Sequence, residues 1–272
     1  MSGNSPVFVL LTDFGLADPY AGQLKAALFS RAPDTPILDL SHEVPPFSIV
    51  TGAFFLAASR RHYPKGAIFV CVVDPGVGSA RELLCITDAR HTLLGPDNGL
   101  LSMAYRDMLR EGPVAIHSLT RSAPLTGNTF HGRDLLAPAA TALALGTAPG
   151  DIGARPQSGI LIPDWAEPRH DSGESICSVL HVDRFGNCIL NLPNDDDRLL
   201  YPRLSLYLPK TKKTLALHPA DHYAELAPGV LGILPGGQGF YELVLANASA
   251  AKLLRVTHGD ACAIRGHLWR QA

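Results

Sequence analysis

Apolar runs and polar breaks alternate regularly through the first half of the chain. Val7 to Leu11 is a continuous apolar run closed by Thr12, Asp13, Phe14 and Gly15. Ile37 to Leu40 is a shorter run ending in Ser41 and His42, and Ile68 to Val73 is a third, halted by Asp74, Pro75 and Gly76. Runs of this length bounded by turn residues predict buried strands. Two longer segments between them predict helices: Tyr20 to Arg31, closed by Pro33, and Ile49 to His62, stopped by Pro64 and Gly66. Leu83 to Thr87 and Thr92 to Leu94 predict a hairpin around Ala89 and Arg90. Pro96 to Gly99 then opens a helix through Tyr105, and Asp134 to Leu145 forms another, ended by Gly146. Alternating β and α segments predict an α/β domain with a mostly parallel sheet covered on both faces.

The pattern changes after Gly153. Arg155 to Ser175 contains Pro156, Pro163 and Pro168 and reads as a linker. Beyond it come seven strand-like segments: Ile176 to Val182, Cys188 to Leu192, Leu204 to Leu208, Thr214 to Leu217, Val230 to Leu234, Phe240 to Ala246 and Ala261 to Arg265. Short strands with regular turn signals predict a sandwich or barrel. The expected organisation is an α/β domain over residues 1–165 and a smaller all-β, barrel-like domain over 172–272.

Composition narrows the function classes. The chain has 272 residues, 46% hydrophobic and 18% charged, which is ample material for a globular core. A net charge of −2 gives no basic footprint for nucleic acid. No stretch approaches the roughly 20 apolar residues of a membrane span, and the start, MSGNSPVFVLLTDFG, has no basic region before its first strand. Cys71, Cys85, Cys177, Cys188 and Cys262 are odd in number and contain no CxxC pair. They predict reduced core thiols in a cytoplasmic protein rather than a zinc site.

Four polar clusters fall at predicted element ends of the first domain. They are Thr12-Asp13-Phe14-Gly15, Asp74 with Arg81, Pro96-Asp97-Asn98-Gly99, and Thr129-Phe130-His131-Gly132-Arg133-Asp134. Each has an ordinary structural use: Asp13 as a turn cap, Asn98 as a residue tolerant of positive φ, Asp134 as a helix N-cap, His131 as a satisfied loop histidine. Four such clusters at the ends of rigid elements also suit a functional site. A metal site from Asp13, Asp74, Asp97 and His131 would place Arg81 beside a cation, and no HxxxH or HExxH spacing is present. No GxSxG elbow, GxGxxG or P-loop occurs. Activation of a water by a hydrogen-bonded Asp–Arg–His group remains. In the second domain, Val182-Asp183-Arg184-Phe185-Gly186-Asn187 is a hairpin signal that also offers a carboxylate, a stacking face and an amide. Those groups suit an ammonium and an adenine ring. Pro235-Gly236-Gly237-Gln238-Gly239 is a turn whose N–H groups could hold an anion.

Six segments in order, LLTDFG (10–15), SHEVPPF (41–47), VVDPGVGSAR (72–81), GPDNG (95–99), TFHGRD (129–134) and VDRFGN (182–187), resemble the S-adenosylmethionine hydrolase family. Its members are also called SAM hydroxide adenosyltransferases and are related to the fluorinating and chlorinating enzymes. The resemblance implies an N-terminal α/β domain, a barrel-like C-terminal domain, and a homotrimer with substrate held between subunits. It implies attack of water on the ribose 5′ carbon of S-adenosylmethionine, giving adenosine and L-methionine, with no metal and no cofactor besides the substrate. By position it assigns water activation to Asp74, Arg81 and His131, the ribose hydroxyls to Asp13, and the ribose pocket wall to Phe130. It assigns the methionine ammonium to Asp183 and adenine to Phe185 and Asn187. Relatives often carry an Asn-Ser pair where this chain has Gly236, Gly237 and Gln238; the expectations are that backbone N–H groups or Gln238 hold the methionine carboxylate, or that another 5′-substituted adenosine is preferred. Halide-dependent adenosyl transfer, or a non-catalytic adenosine or S-adenosylmethionine sensor, are the competing expectations.

Overall fold

The computed structural model describes residues 5–119, 129–156, 158–171, 173–196 and 203–267. Two compact units divide between Pro163 and Asp164. In the first, β1 (Val7–Thr12) and β3 (Ala67–Val72) are buried along their whole length. This is why their sequences are unbroken apolar runs rather than alternating ones: both faces of a central parallel strand are covered. The sheet also contains β2 (Ile37–Ser41), β4 (Leu83–Thr87), β5 (Thr92–Pro96), β6 (Ala115–Leu119) and β7 (Gly153–Ala154). Its order is β2-β1-β3-β5-β4-β6-β7. The pairs β1–β2, β1–β3 and β3–β5 are parallel, while β4–β5, β4–β6 and β6–β7 are antiparallel. Five strands therefore share one direction and β4 and β7 oppose it, so the sheet is mostly parallel. Packed around it are α1 (Tyr20–Phe29), α2 (Ile49–Arg60), α3 (Ser102–Glu111), α4 (Ala137–Ala144) and the single turn α5 (Pro149–Ile152).

Several elements depart from the sequence expectation. The third helix begins at Ser102, not Gly99, and runs on to Glu111. Asn98 explains the delay: its Oδ1 accepts from the Leu100 N–H at 3.1 Å and its Nδ2 donates to the Val73 carbonyl at 2.9 Å, which holds a turn in place of the first helical residues. The helix expected from Asp134 starts as a π-turn, Gly132–Leu136, in which the Ala137 N–H reaches back to the Gly132 carbonyl. Pro138 has no N–H to return to Asp134, so the regular ladder cannot run through this point. Strand β6, between β4 and β7, has no fully buried residue and so no apolar run in the sequence that would mark it. The expected linker contains a 3-10 turn, Asp164–Ala166, and the strand β8 (Arg169–Asp171).

The second unit is a closed barrel. Strands β9 (Glu174–Val182), β10 (Cys188–Pro193), β11 (Arg203–Leu208), β12 (Lys213–Pro219), β13 (Leu231–Pro235), β14 (Phe240–Leu245) and β15 (Ala261–His267) form a ring in the order β10-β14-β13-β12-β11-β15-β9, which the β9–β10 pairing closes. β8 extends β9 outside the ring. A ring of seven cannot alternate direction all the way round, so one neighbouring pair must be parallel. That pair is β12–β13, joined only at His218↔Gly232 and Pro219↔Ile233. Strand β11 alternates buried and less buried residues, as a barrel with one face inward requires. The interior is filled by Val179, Leu190, Leu206, Ile233, Leu243 and Ile264 together with Cys177, Cys188 and Cys262. All five cysteines are buried free thiols, and burial pushes Cys85, Cys188 and Cys262 up to about 12. Among the described residues the α-helix α6 (Ala250–Leu254), capped by Ser249, and a 3-10 turn, Tyr223–Glu225, interrupt the all-β pattern. Among the described residues no helix is long and apolar enough to cross a membrane.

The sheet end remote from the polar clusters is tied by Arg60, the last residue of α2, whose side chain is fully buried. Its Nη1 donates to His91 Nδ1 at 3.0 Å and to Asp88 Oδ2 at 3.3 Å, and Nη2 donates to Glu111 Oε2 at 2.7 Å. Because Nδ1 accepts from a guanidinium, the His91 proton sits on Nε2, facing the Tyr63 carbonyl at 3.3 Å. Burial holds the imidazole below its ordinary pKa. Removing one partner of such a cluster leaves buried charges unpaired. Arg60→Ala is expected to lower the unfolding free energy by about 3 kcal/mol; urea unfolding of the two proteins measures it.

Candidate active site

The parallel strands β1, β3 and β5 release their C-terminal loops on one edge of the sheet. Thr12 is in register with Val72, so Asp13 and Asp74 leave adjacent strands. Their proximity is felt electrostatically: burial pushes the Asp13 carboxyl above its usual range, and the negative charge of Asp74 adds to the rise. A hydrogen bond from the Phe47 N–H to Asp13 Oδ2, at 2.9 Å, works in the opposite direction.

Asp74 and Arg81 form an ion pair through Asp74 Oδ2 and Arg81 Nη2, with side chains only 5% and 14% exposed. Arg81 Nη1 is anchored separately, donating to the Gly76 carbonyl and to Ser79 Oγ. The seven-residue separation seen in the sequence is thus a loop folded back on itself, with the guanidinium closing it. This arrangement leaves Asp74 Oδ1 and Arg81 Nε buried with no hydrogen-bond partner among the described residues. A buried polar atom without a partner costs about 1–3 kcal/mol. Such atoms persist where a ligand or water is meant to meet them.

His131 is 5% exposed and immediately precedes the π-turn. That turn lies against the end of β3, because a Cβ placed on Gly132 would be 3.2 Å from Val72 Cγ2. Gly132, the neighbour of His131 in the chain, thus lies against a residue two positions before Asp74. Phe130 joins Phe14 and Tyr20 in a cluster of edge-on and tilted rings with centroids 5.5–5.8 Å apart. Arg133 stands over the Phe130 ring at 4.9 Å. Asp134 is not an N-cap: its two oxygens accept from Arg133 Nε and Nη2 at 2.7 and 2.9 Å. Asp97 accepts from the Leu161 N–H at 2.9 Å, and burial raises its pKa.

Within the barrel unit, the β9–β10 hairpin presents Asp183, Phe185 and Asn187. Asp183 Oδ1 accepts from the backbone N–H groups of Phe185 and Asn187 at 2.9 and 2.8 Å, and Oδ2 accepts from Asn187 Nδ2 at 3.1 Å. Much of the carboxylate is thus spent on shaping the loop. Phe185 is 79% exposed, an aromatic face left open. Gly186 is fixed by its surroundings, with φ +87° and a would-be Cβ only 2.1 Å from Ser249 Oγ. The expected anion-binding turn is partly self-satisfied: Gly236 N donates to Phe240 O, and Gly239 N to Gly236 O.

Three residues of these regions escaped the sequence reading. Phe47 is 70% exposed with φ +67°, a rare conformation for an aromatic residue, and the Asp13 hydrogen bond holds it there. Tyr223 donates to Glu242 Oε2 at 2.8 Å and accepts from Asn187 Nδ2 at 3.3 Å. Glu242 lies under the glycine turn, where a Cβ on Gly236 would meet its Oε1 at 2.1 Å. The available signal for Glu242 was a lone acid inside the apolar strand FYELVL; Tyr223 carried none, because it comes from a distant 3-10 turn.

The family model described as SAM hydroxide adenosyltransferase N-terminal domain matches residues 8–153, and that of the C-terminal domain matches 177–263. A protein of Salinispora arenicola named (R)-S-adenosyl-L-methionine hydrolase is 35% identical, covering 94% of this chain and 97% of its own. One of the same name from Thermus thermophilus is 40% identical over 69% of this chain and 74% of its own. A fluorinase of an Actinoplanes species is 22% identical over 72% of this chain and 74% of its own. The crystal structure of an uncharacterized conserved protein from Thermotoga maritima superposes with a TM-score of 0.80 at 28% identity, covering 95% of this chain and all of the other.

Burial pushes the Glu242 carboxyl above its usual pKa, the Tyr223 hydroxyl pulls it back, and the charge of Asp183 raises it again. A folded pKa above the unfolded one means that stability is lost as pH rises from about 4.5. Tyr223→Phe removes the compensating donor, so its cost should be small near pH 4.5 and grow to about 1–3 kcal/mol near pH 8. Urea denaturation at the two pH values checks the sign.

Proposed function

The chain belongs to the SAM hydroxide adenosyltransferase family, and from that premise we propose that it hydrolyses S-adenosyl-L-methionine to adenosine and L-methionine. The observation that carries the mechanism is the divided carboxylate of Asp74. One oxygen is committed to Arg81; the other is buried and unmet.

The substrate is a sulfonium. When water attacks the ribose 5′ carbon, a C–O bond forms and the C–S bond breaks. Sulfur keeps the electron pair and leaves as a neutral thioether, so no acid is needed at the leaving group. The positive charge lost from sulfur reappears as a proton released by the attacking water. The task for the protein is to orient that water and to favour its deprotonation. Asp74 Oδ1 is suited to accept one water proton and thereby aim a lone pair. Arg81, paired with Asp74 and itself shielded, favours the hydroxide-like state without leaving the site with a net excess of charge. His131 is proposed as the third group on that water. Correct alignment of nucleophile and substrate is worth up to about 7–11 kcal/mol.

Asp13 is proposed to hold the ribose hydroxyls, with Phe130 and the exposed Phe47 as walls. Phe185 and Asn187 are proposed for adenine, and the remaining acceptor capacity of Asp183 Oδ2 for the methionine ammonium. No metal and no additional cofactor are proposed. The working form is proposed to be a homotrimer, for which light scattering would return three copies of a 29.0 kDa chain.

One assay tests the reaction. Purified protein is incubated with S-adenosylmethionine, with and without chloride or fluoride, and the nucleosides are identified. Adenosine, with one proton released per turnover, is expected under all conditions. A 5′-halo-adenosine would replace hydrolysis by halide transfer, and intact substrate would leave a binding protein. Asp74→Ala and Arg81→Ala should each lower kcat by about 10²-fold or more, while adenosine affinity stays within a few fold. Undiminished turnover in both variants would remove the water-activating role.

A further inference from the structure

A chain of polar side chains connects the surface to the base of the Asp13 loop. Lys25 on α1 donates to Asp39 Oδ2 at 2.6 Å; Asp39 Oδ1 meets His42 Nε2 at 3.1 Å; His42 Nδ1 meets Thr12 Oγ1 at 2.8 Å; and the Phe14 N–H donates to Thr12 Oγ1 at 3.3 Å. His42 is 4% exposed and Thr12 is fully buried. The directions of these bonds follow from chemistry. Burial would raise the Asp39 carboxyl, yet Lys25 and His42 outweigh it and hold its pKa below the ordinary value, so it is ionised and can only accept. The His42 proton therefore lies on Nε2. In the neutral ring Nδ1 is then an acceptor, which obliges the Thr12 hydroxyl to donate to it and leaves the hydroxyl lone pair for the Phe14 N–H. One proton arrangement satisfies every member.

The backbone is stitched at the same place. Gly15 N donates to His42 O at 2.7 Å, Val44 N to Thr12 O at 3.3 Å, and Phe47 N to Asp13 Oδ2 at 2.9 Å. Residues 12–15 and 42–47 are thus one unit tied by three backbone N–H donors, and within it the Asp13 carboxyl feels the charge of Asp74. The segment SHEVPPF has no role in the water-activating chemistry. Its His42 is a poor candidate for contact with substrate because both ring nitrogens are engaged inside the fold.

We propose that Thr12 and His42 are positioning residues for Asp13: the Asp39–His42–Thr12 chain fixes the Thr12-Asp13-Phe14 backbone so that the Asp13 carboxylate is pre-aimed at a vicinal diol of a nucleoside. This rests on the proposed function for the identity of the ligand. The effect should be on nucleoside affinity rather than on the chemical step. Without the chain, the carboxylate must be ordered at the moment of binding, and that cost appears in KM.

Thr12→Val keeps the shape and deletes the hydroxyl; Thr12→Ser keeps the hydroxyl. Thr12→Val is expected to raise the adenosine Kd and the KM for S-adenosylmethionine by about tenfold, the scale of one lost hydrogen bond that holds a charged group. kcat should change little; the melting temperature should fall by a few degrees, because the buried His42 Nδ1 and the Phe14 N–H lose a partner, and Thr12→Ser should restore it and bring Kd back to within about threefold of the wild type. The deciding measurement is a double-mutant cycle with Asp13→Asn. If Thr12 acts through Asp13, the double variant binds adenosine no more weakly than Asp13→Asn alone. Multiplying losses, a wild-type Kd in Thr12→Val, or a fall in melting temperature that accounts for the whole effect and that Thr12→Ser does not reverse, would each overturn the inference. Should His42→Ala fold, it should behave like Thr12→Val in the same cycle. A wild-type protein that cleaves S-adenosylmethionine but gives a multiplicative cycle sinks the positioning role alone. A wild type that binds no adenosine sinks the proposed function with it.

Discussion

The pairing of β1 with β3 is the constraint from which the candidate site follows. Six residues are in parallel register, from Val7↔Ala67 to Thr12↔Val72, and every one of them is buried. Parallel strands send both C-termini to the same edge of the sheet, so two acidic residues far apart in the chain emerge side by side. A slip of one residue would draw a polar end residue into the sheet and move Asp13 about 3.3 Å along the strand relative to Asp74. The apolar core therefore fixes the spacing of the carboxylates. Their mutual repulsion is sustained because each has other partners, Asp13 the Phe47 N–H and Asp74 the Arg81 guanidinium.

The same economy governs the other acids. Asp183 shapes its hairpin, Glu242 is held by Tyr223, and Asp39 is held by Lys25 and His42. Each of these three carboxylates has a particular donor, and for the buried Glu242 desolvation demands one. Against that background the unmet Asp74 Oδ1 stands out, and it is the oxygen to which the proposed mechanism gives the water.

The barrel follows a different rule. Its ring of seven strands forces a single parallel pair, and that short β12–β13 contact is where the alternation of directions is repaired. The hairpin tip bearing Phe185 packs through Gly186 onto the N-terminus of α6, which fixes a loop that would otherwise be free to move.

Much of this was written in the chain. Continuous apolar runs identified β1 and β3, short runs between regular turn signals pointed to the barrel strands, and polar residues at predicted element ends marked Asp13, Asp74, Arg81, His131 and Asp183 as candidates, because apolar runs report burial directly. The order of six motifs carried the family. What sequence could not decide was anything that depends on contact between distant segments. It did not show that Phe47 would be bent to positive φ by Asp13, that Tyr223 would reach Glu242, or that His42 would lie between Asp39 and Thr12. Those side chains are polar or exposed, so no hydrophobic period constrains them; their partners were chosen only when the sheet closed and brought separate loops to one edge.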